Sequence, residues 1–86
     1  MTKEIILSAI YKKETTGYSA LCPELGVASQ GETIEEAESN LKEACEVHLE
    51  SAKQLGILER ILQDANLESK DPVPVLSGSF RAEVDV

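Results

Sequence analysis

The spacing of apolar residues changes twice along this chain, and these changes limit the fold more than any other feature of the sequence. Residues 4–12 are rich in β-branched and aromatic side chains, and residues 79–86 alternate apolar with polar positions, as strands do. Between them, small or apolar residues recur every three or four positions from 34 to 55, which is the repeat of an amphipathic helix. A chain of 86 residues with this pattern predicts a single α+β domain over residues 1–86.

Two further short strands are predicted at residues 18–22 and 27–31. Gly17 can supply the positive φ of the turn before the first of them. Pro23 and Gly26 bound a second tight turn between the two. Together with the strand at the start of the chain, these segments predict a three-stranded antiparallel meander.

The central helix has its own start and stop signals. Thr33, followed three residues later by Glu36, predicts a capping box before a helix over 34–55. The stripe predicted to face the core consists of Ile34, Ala37, Leu41, Ala44, Cys45, His48, Ala52 and Leu55. Gly56 then predicts either the end of the helix, with a shorter helix over 57–65, or a kink within one long helix.

Residues 66–78 lose this periodicity and contain two prolines, so they predict an extended connector. The element order is therefore β-β-β-α-(α)-β, a sheet with helix on one of its faces. The first strand is apolar on both sides, because Ile6 and Ile10 lie opposite Leu7 and Ala9. We expect a second copy of the chain to cover the remaining face or to pair with an edge strand, which would make the protein a homo-oligomer.

The charge of the chain limits its partners. Eight Lys and Arg residues against sixteen Asp and Glu residues give a net charge of −8. This charge repels phosphate backbones, so no direct binding to nucleic acid is expected. It suits a basic protein partner, although solubility alone is an equally good explanation.

The residues that could carry chemistry are few. Two cysteines and one histidine cannot by themselves complete a structural zinc site, and no cofactor motif is present. Cys45 and His48 are neighbours on the helix and could form a nucleophile pair, but both lie on the stripe predicted to be core. The glutamates between Glu32 and Glu50 read either as a solvated helix face or as an acidic strip for a basic partner. We therefore predict no enzyme, no metal and no cofactor.

No signal peptide and no membrane-spanning segment are predicted. The apolar run after Met1 is too short for the hydrophobic region of a signal peptide. No run of about 18 apolar residues exists that could span a bilayer. These features predict a protein without a membrane partner that is located in the cytoplasm, where cysteines stay free by default.

Several short motifs from Gly17 to Glu50 resemble those of the HicB antitoxin family. They read GYSALCPEL over 17–25, QGETIEEA over 30–37 and NLKEA over 40–44. The strands before and after these motifs also fit, so the resemblance covers most of the chain, and residues 51–78 carry it least. Taken one at a time, most of these residues are also ordinary turn, cap and packing residues.

The resemblance implies a partial ribonuclease H-like fold that lacks the nuclease carboxylates. It also implies an antitoxin that binds and masks a small basic toxin, HicA, which cleaves mRNA, and it implies dimers or larger assemblies. The candidate partner-binding residues are Tyr18, Pro23, Glu24, Leu25 and Gln30. No DNA-binding segment follows the last predicted strand, so autorepression is not expected. A stand-alone oligomeric domain with a structural or regulatory role and no toxin partner is the alternative.

Overall fold

Four strands and one long helix form the described part of the chain. The structure is a computed structural model and describes residues 2–61 and 77–85. The elements are β1 (Thr2–Lys13), β2 (Tyr18–Cys22), β3 (Val27–Gly31), α1 (Ile34–Gln54) and β4 (Ser77–Asp85). The strands are antiparallel neighbours in the order β3-β2-β1-β4. The predicted α+β fold with the order β-β-β-α-β is confirmed.

β1 and β4 differ in length from the prediction, while β2 and β3 occupy the predicted ranges. β1 is longer than residues 4–12 because β4 pairs with it along nine residues, from Thr2 opposite Asp85 to Ile10 opposite Ser77. This ladder extends β1 to Thr2 and Lys3, which are polar residues that the spacing of apolar residues does not assign to a strand. Residues 58–61 are helical, but the rest of the predicted helix over 57–65 and the connector up to residue 76 lie outside the described residues.

Both ends of α1 follow the signals in the sequence. The Thr33 hydroxyl accepts a hydrogen bond from the Glu36 backbone N–H at 3.0 Å, while the Glu36 carboxylate accepts one from the N–H of Glu32. At the other end Gly56 has a φ of 77°. Its N–H donates to the carbonyl of Lys53, and the Ile57 N–H donates to that of Ala52. These two bonds are the Schellman pair, so the predicted helix stop at Gly56 is confirmed.

The core lies between α1 and one face of the sheet, which we call the inner face. The buried residues of α1 are Ala37, Leu41, Cys45, Leu49 and Ala52. They pack with Leu7, Ala9, Tyr11, Ala20, Cys22, Phe80, Ala82 and Val84 from the strands. The prediction for Leu55 is wrong, since 74% of its surface is exposed. Leu55 lies beyond the last helical turn, where Gly56 redirects the chain, and Leu58 is buried instead.

A close approach of backbone to backbone seats α1 on the sheet. Gly31 ends β3 just before the helix, and a Cβ at this position would lie 2.5 Å from the backbone nitrogen of Ala37. Gly17, with a φ of 96°, stands beside it, because a Cβ there would lie 2.4 Å from the Gly31 carbonyl oxygen. Only glycine fits at these two contacts, which explains Gly17 and Gly31 of the motifs.

Candidate partner-binding surface

The turn between β2 and β3 is held by an internal contact of Glu24. Both oxygens of this carboxylate accept a hydrogen bond from the Ser8 backbone N–H, at 2.9 and 3.1 Å. The β1–β2 ladder runs only from Ile10 to Lys13 of β1, so Ser8 lies beyond the end of β2. Its N–H would otherwise lack a strand partner on that side, and a half-buried backbone donor needs one. Glu24 therefore has a structural role in the fold, and its carboxylate is already hydrogen-bonded within the chain.

The neighbours of Glu24 divide between core and surface. Leu25 is half-buried and packs against the core, whereas Pro23 is exposed. Of the three predicted binding residues in this turn, only Pro23 presents its side chain to solvent without an internal role in the described structure.

Tyr18 and Gln30 lie at the opposite end of the β2–β3 hairpin. Tyr18 pairs with Gly31, packs against the core and carries the Lys13 ammonium 5.3 Å from its ring centre. Gln30 is exposed, and its carbonyl accepts a hydrogen bond from the Asn40 side chain at 2.9 Å. Four residues of strand, about 13 Å, separate this end from the turn at Pro23. The structure does not bring the five predicted residues into one site.

The face of the sheet away from α1, which we call the outer face, exposes apolar side chains. Ile6 is 68% exposed and Leu21 is 40% exposed. Ile10 is half-buried and pairs directly with Leu21 across the β1–β2 ladder. No segment among the described residues packs over this face. The two-sided apolar pattern of the first strand indicates that Ile6 and Ile10 share one face. Leu21 lies within the motif over 17–25, but it is not among the binding residues predicted there.

The acidic strip predicted on the helix divides into two groups. Glu38 and Glu46 have internal partners: Glu38 accepts a hydrogen bond from the Tyr11 hydroxyl at 2.8 Å, and Glu46 accepts one from the Glu83 backbone N–H at 2.7 Å. Burial, followed by the bond to Glu38, raises the pKa of Tyr11 to about 12. Glu43 and Glu50 are exposed on the same helix. Two of these carboxylates are thus already hydrogen-bonded within the chain, while Glu43 and Glu50 have exposed side chains.

The two cysteines lie inside the core. Cys22 and Cys45 are both 0% exposed, and His48, three residues after Cys45 on the helix, is half-buried. Hydrogen bonding between the two thiols raises the pKa of Cys45, as does burial, and the same contact lowers the pKa of Cys22. A catalytic thiol must be accessible to its substrate. The alternative of a Cys45–His48 nucleophile pair is therefore wrong for the folded protein.

Within residues 2–61 and 77–85, no three His, Cys, Asp or Glu side chains converge as the ligands of one metal ion would. In the same part of the chain, no helix is both long and apolar enough to cross a bilayer.

Comparison with known proteins gives a relative that matches about half of the chain. No protein-family model matches the sequence, and no solved structure matches it. A UPF0150 protein of Helicobacter pylori (strain J99) is 44% identical over 46 residues. That match spans 52% of this chain and 64% of the relative. The chain is therefore similar to a UPF0150 protein over about half of its own length.

Proposed function

We propose that this chain is a HicB-like binding protein, an antitoxin or a derivative of one, that masks a small basic toxin of the HicA type. The observation that carries the proposal is the outer face, where Ile6 and Leu21 stay exposed on a protein with a net charge of −8. The motifs that resemble HicB antitoxins support it. The partial match to a UPF0150 protein supports it further, because UPF0150 proteins are HicB-like.

The two properties of this surface have separate roles in binding. Net negative charge accelerates the encounter with a basic partner and disfavours nucleic acid as a competitor. Desolvated apolar side chains near the centre of an interface then slow dissociation. In this arrangement Ile6, Ile10 and Leu21 form the centre, and Pro23 and Gln30 lie near its rim.

Masking of this kind requires no reacting group in this chain. An mRNA-cleaving toxin needs a basic face to hold the RNA backbone. An acidic protein that occupies this face excludes RNA by competition. We accordingly propose a cytoplasmic binding protein without catalytic residues and without contacts of its own to nucleic acid.

The test is binding to the small basic protein encoded beside this chain in its host genome. The two proteins are co-expressed, co-purified and titrated by calorimetry at increasing salt concentration. Ile6→Glu and Leu21→Glu should each lower the affinity at least about tenfold, since they place a charge at the apolar centre. Leu55→Glu is the matched control, because Leu55 is as exposed as Ile6 but lies beyond the end of α1.

Three outcomes would count against the toxin proposal. One is the absence of any basic neighbour in the genome together with no small basic protein in purifications from the host. Another is binding that Leu55→Glu weakens as much as Ile6→Glu does. A third is affinity that does not depend on salt, since charge would then have no part in it.

The second candidate function is a stand-alone oligomeric domain, in which another copy of the chain covers the outer face. The same exposure of Ile6 and Leu21 favours it. Sedimentation of the purified chain at micromolar concentration separates the two: an oligomer that Ile6→Glu dissociates supports this alternative. A strict monomer that binds the basic partner supports the first proposal.

A further inference from the structure

β1 extends beyond the hairpin that lies beside it, and this leaves part of one of its edges open. The β1–β2 ladder begins at Ile10, whereas the β1–β4 ladder runs on to Thr2. Among the described residues, no strand pairs with the first half of β1 on the side where β2 lies. That half of β1 therefore has the free backbone of an edge strand, although β1 is a central strand of the sheet.

Two hydrogen bonds show which residues direct their backbone groups to this side. The Ser8 N–H donates to Glu24 in the turn after β2, so it points away from β4. The Glu83 N–H donates to a carboxylate of α1, so Glu83 and Glu4 face each other as a pair that is not hydrogen-bonded. Backbone groups alternate in direction along a strand, so the N–H and C=O of Glu4 and Ile6 also point away from β4. We call these four groups the open edge.

Side chains of α1 reach the two outer edges of the sheet but not the open edge. At the β3 edge Asn40 donates to the carbonyl of Gln30, and at the β4 edge Glu46 accepts from the N–H of Glu83. Within the described residues, the open edge forms no hydrogen bond to a side chain or to another strand. Ile6, which is 68% exposed, lies directly beside it. An exposed row of unpaired backbone groups is a template for another strand.

We propose that the open edge receives an extended segment of the basic partner, which adds a strand antiparallel to β1. The inference rests on the proposed function and deepens it, because it states how the partner engages the sheet. The added strand exchanges backbone hydrogen bonds with both N–H groups and both carbonyls of Glu4 and Ile6. It lies in line with β2 and ends at the turn that holds Glu24.

The side chains beside the open edge determine which segment fits. Glu4 and Ile6 are two residues apart, so they share the outer face, and both are exposed there. Antiparallel pairing sets one partner residue opposite Ile6 and another, two positions later, opposite Glu4. An apolar residue suits the first position and Lys or Arg suits the second, because opposite charges across strands stabilise the pair. The segment therefore carries an apolar and a basic residue on the same side.

A second copy of this chain fits the open edge less well. Two β1 strands can pair about a two-fold axis with Glu4 opposite Glu4, but this sets like charges against each other. A shift that places Glu4 opposite Ile6 brings Thr2 of the second copy opposite Ser8. The Ser8 N–H is already bonded to Glu24, and the turn occupies that position. Charge and the Glu24 turn together favour a basic partner over self-pairing.

Amide hydrogen exchange, followed by NMR on the isotope-labelled full chain, tests the proposal at single residues. In the free chain Glu4 and Ile6 should exchange fast. Ile5 and Leu7 should exchange slowly, because their N–H groups face β4. Addition of the unlabelled basic protein encoded beside this chain should slow exchange at Glu4 and Ile6 by at least about tenfold. Exchange at Ile5 and Leu7 should change much less.

Backbone methylation separates the N–H of Ile6 from its side chain. A synthetic peptide of residues 1–21 with N-methyl-isoleucine at position 6 is ligated to residues 22–86 through Cys22. The loss of this N–H should weaken binding to the basic protein about tenfold, measured by calorimetry. The urea midpoint should stay close to that of the ligated native chain, since no group of the described residues accepts this N–H. Methylation at Thr16, which is exposed in the turn after β1, is the matched control.

Three results would overturn the proposal. In the first, the complex forms but Glu4 and Ile6 exchange as fast as before, or Ile5 and Leu7 are slowed equally. In the second, methylation at Ile6 weakens binding no more than methylation at Thr16. In the third, protection of Glu4 and Ile6 rises with the concentration of the free chain, which makes a second copy the occupant. The first two results leave the proposed function standing, because binding is still observed, whereas no binding at all removes both proposals.

Discussion

The two faces of the sheet present different chemistry although the same strands form them. On the inner face, Leu7 and Ala9 of β1 are buried under α1. On the outer face, their neighbours Ile6 and Ile10 are exposed and half-buried, respectively. Successive side chains of a strand point to opposite sides, so a single residue step separates the two environments.

This difference shows that the apolar residues of β1 have two separate roles. The inner set is needed for the fold, because it forms the core with α1 in a small domain with little core to spare. The outer set contributes little to that core, and apolar side chains exposed together on one face favour a surface that meets another molecule. Stability and binding should therefore respond to different residues of the same strand.

The inner residue Leu7 and the outer residue Ile6 should differ most in their effect on the free energy of unfolding. Leu7→Ala should lower the free energy of unfolding by about 2–5 kcal/mol, because it removes buried methyl groups and leaves a cavity. Ile6→Ala should change it by no more than about 0.5–1 kcal/mol. Urea unfolding followed by circular dichroism measures both. If Ile6→Ala destabilised the isolated monomer as much as Leu7→Ala, the outer face would belong to the fold and not to a partner.

The sequence predicts the faces of this sheet better than it predicts the site. Alternation along β1 puts Leu7 and Ile6 on opposite faces without assigning which face α1 covers, and local signals place Gly17 and the helix stop at Gly56. In contrast, Glu24 reads as an acidic surface residue, and only tertiary structure brings it to the N–H of Ser8, sixteen residues away. The burial of Cys22 and Cys45 in one core cluster has the same origin, since no local pattern states which strand end a helix covers.

Leu49 and Leu55 show where periodicity itself misleads. Leu49 is fully buried and follows Cys45 by four residues, so the spacing rule includes it, although the predicted stripe does not. Leu55 continues the three- and four-residue spacing, but the helix ends at Gln54, so the spacing no longer predicts burial at Leu55. An apolar stripe is therefore informative only between the two ends of its helix.

The second prediction concerns the border between the two faces, where Glu24 closes the end of the β1–β2 ladder. Glu24→Ala should lower the free energy of unfolding by about 1–3 kcal/mol, because the Ser8 N–H and the Cys22 thiol both lose their acceptor. Glu43→Ala, which removes an exposed glutamate from α1, should stay within about 0.5 kcal/mol of the native chain. Denaturant unfolding of the two variants under identical conditions gives the comparison.

Equal effects of these two substitutions would show that Glu24 is a surface charge and not a structural acceptor. Glu24→Gln sharpens the test, since its amide oxygen can still accept one hydrogen bond. It should fall between the native chain and Glu24→Ala. Amide hydrogen exchange at Ser8 should follow the same order, fastest in Glu24→Ala.

The smallest expected effect concerns the Tyr11 side chain, which is buried on the inner face. The pKa of Tyr11 is raised from 10.0 to about 12, chiefly by burial and then by the bond to Glu38, so folding favours the neutral phenol. The stabilisation is complete below pH 10, where both states are neutral. It is lost as pH rises from 10 towards 12, because the unfolded chain ionises first. The loss should be on the order of 1–2 kcal/mol, measured by urea unfolding across this range.

Tyr11→Phe separates the contribution of the Tyr11 hydroxyl to the pH dependence of stability from that of the other groups that titrate at high pH. The variant should be less stable below pH 10 by about 1 kcal/mol, because its hydrogen bond to Glu38 is missing. It should also decline less steeply than the native chain above pH 10, and the two curves should converge. Tyr18→Phe leaves Tyr11 in place and should keep the steeper decline. Parallel curves for Tyr11→Phe and the native chain would place the Tyr11 hydroxyl in water, and the inner face would then be less closed than its buried residues indicate.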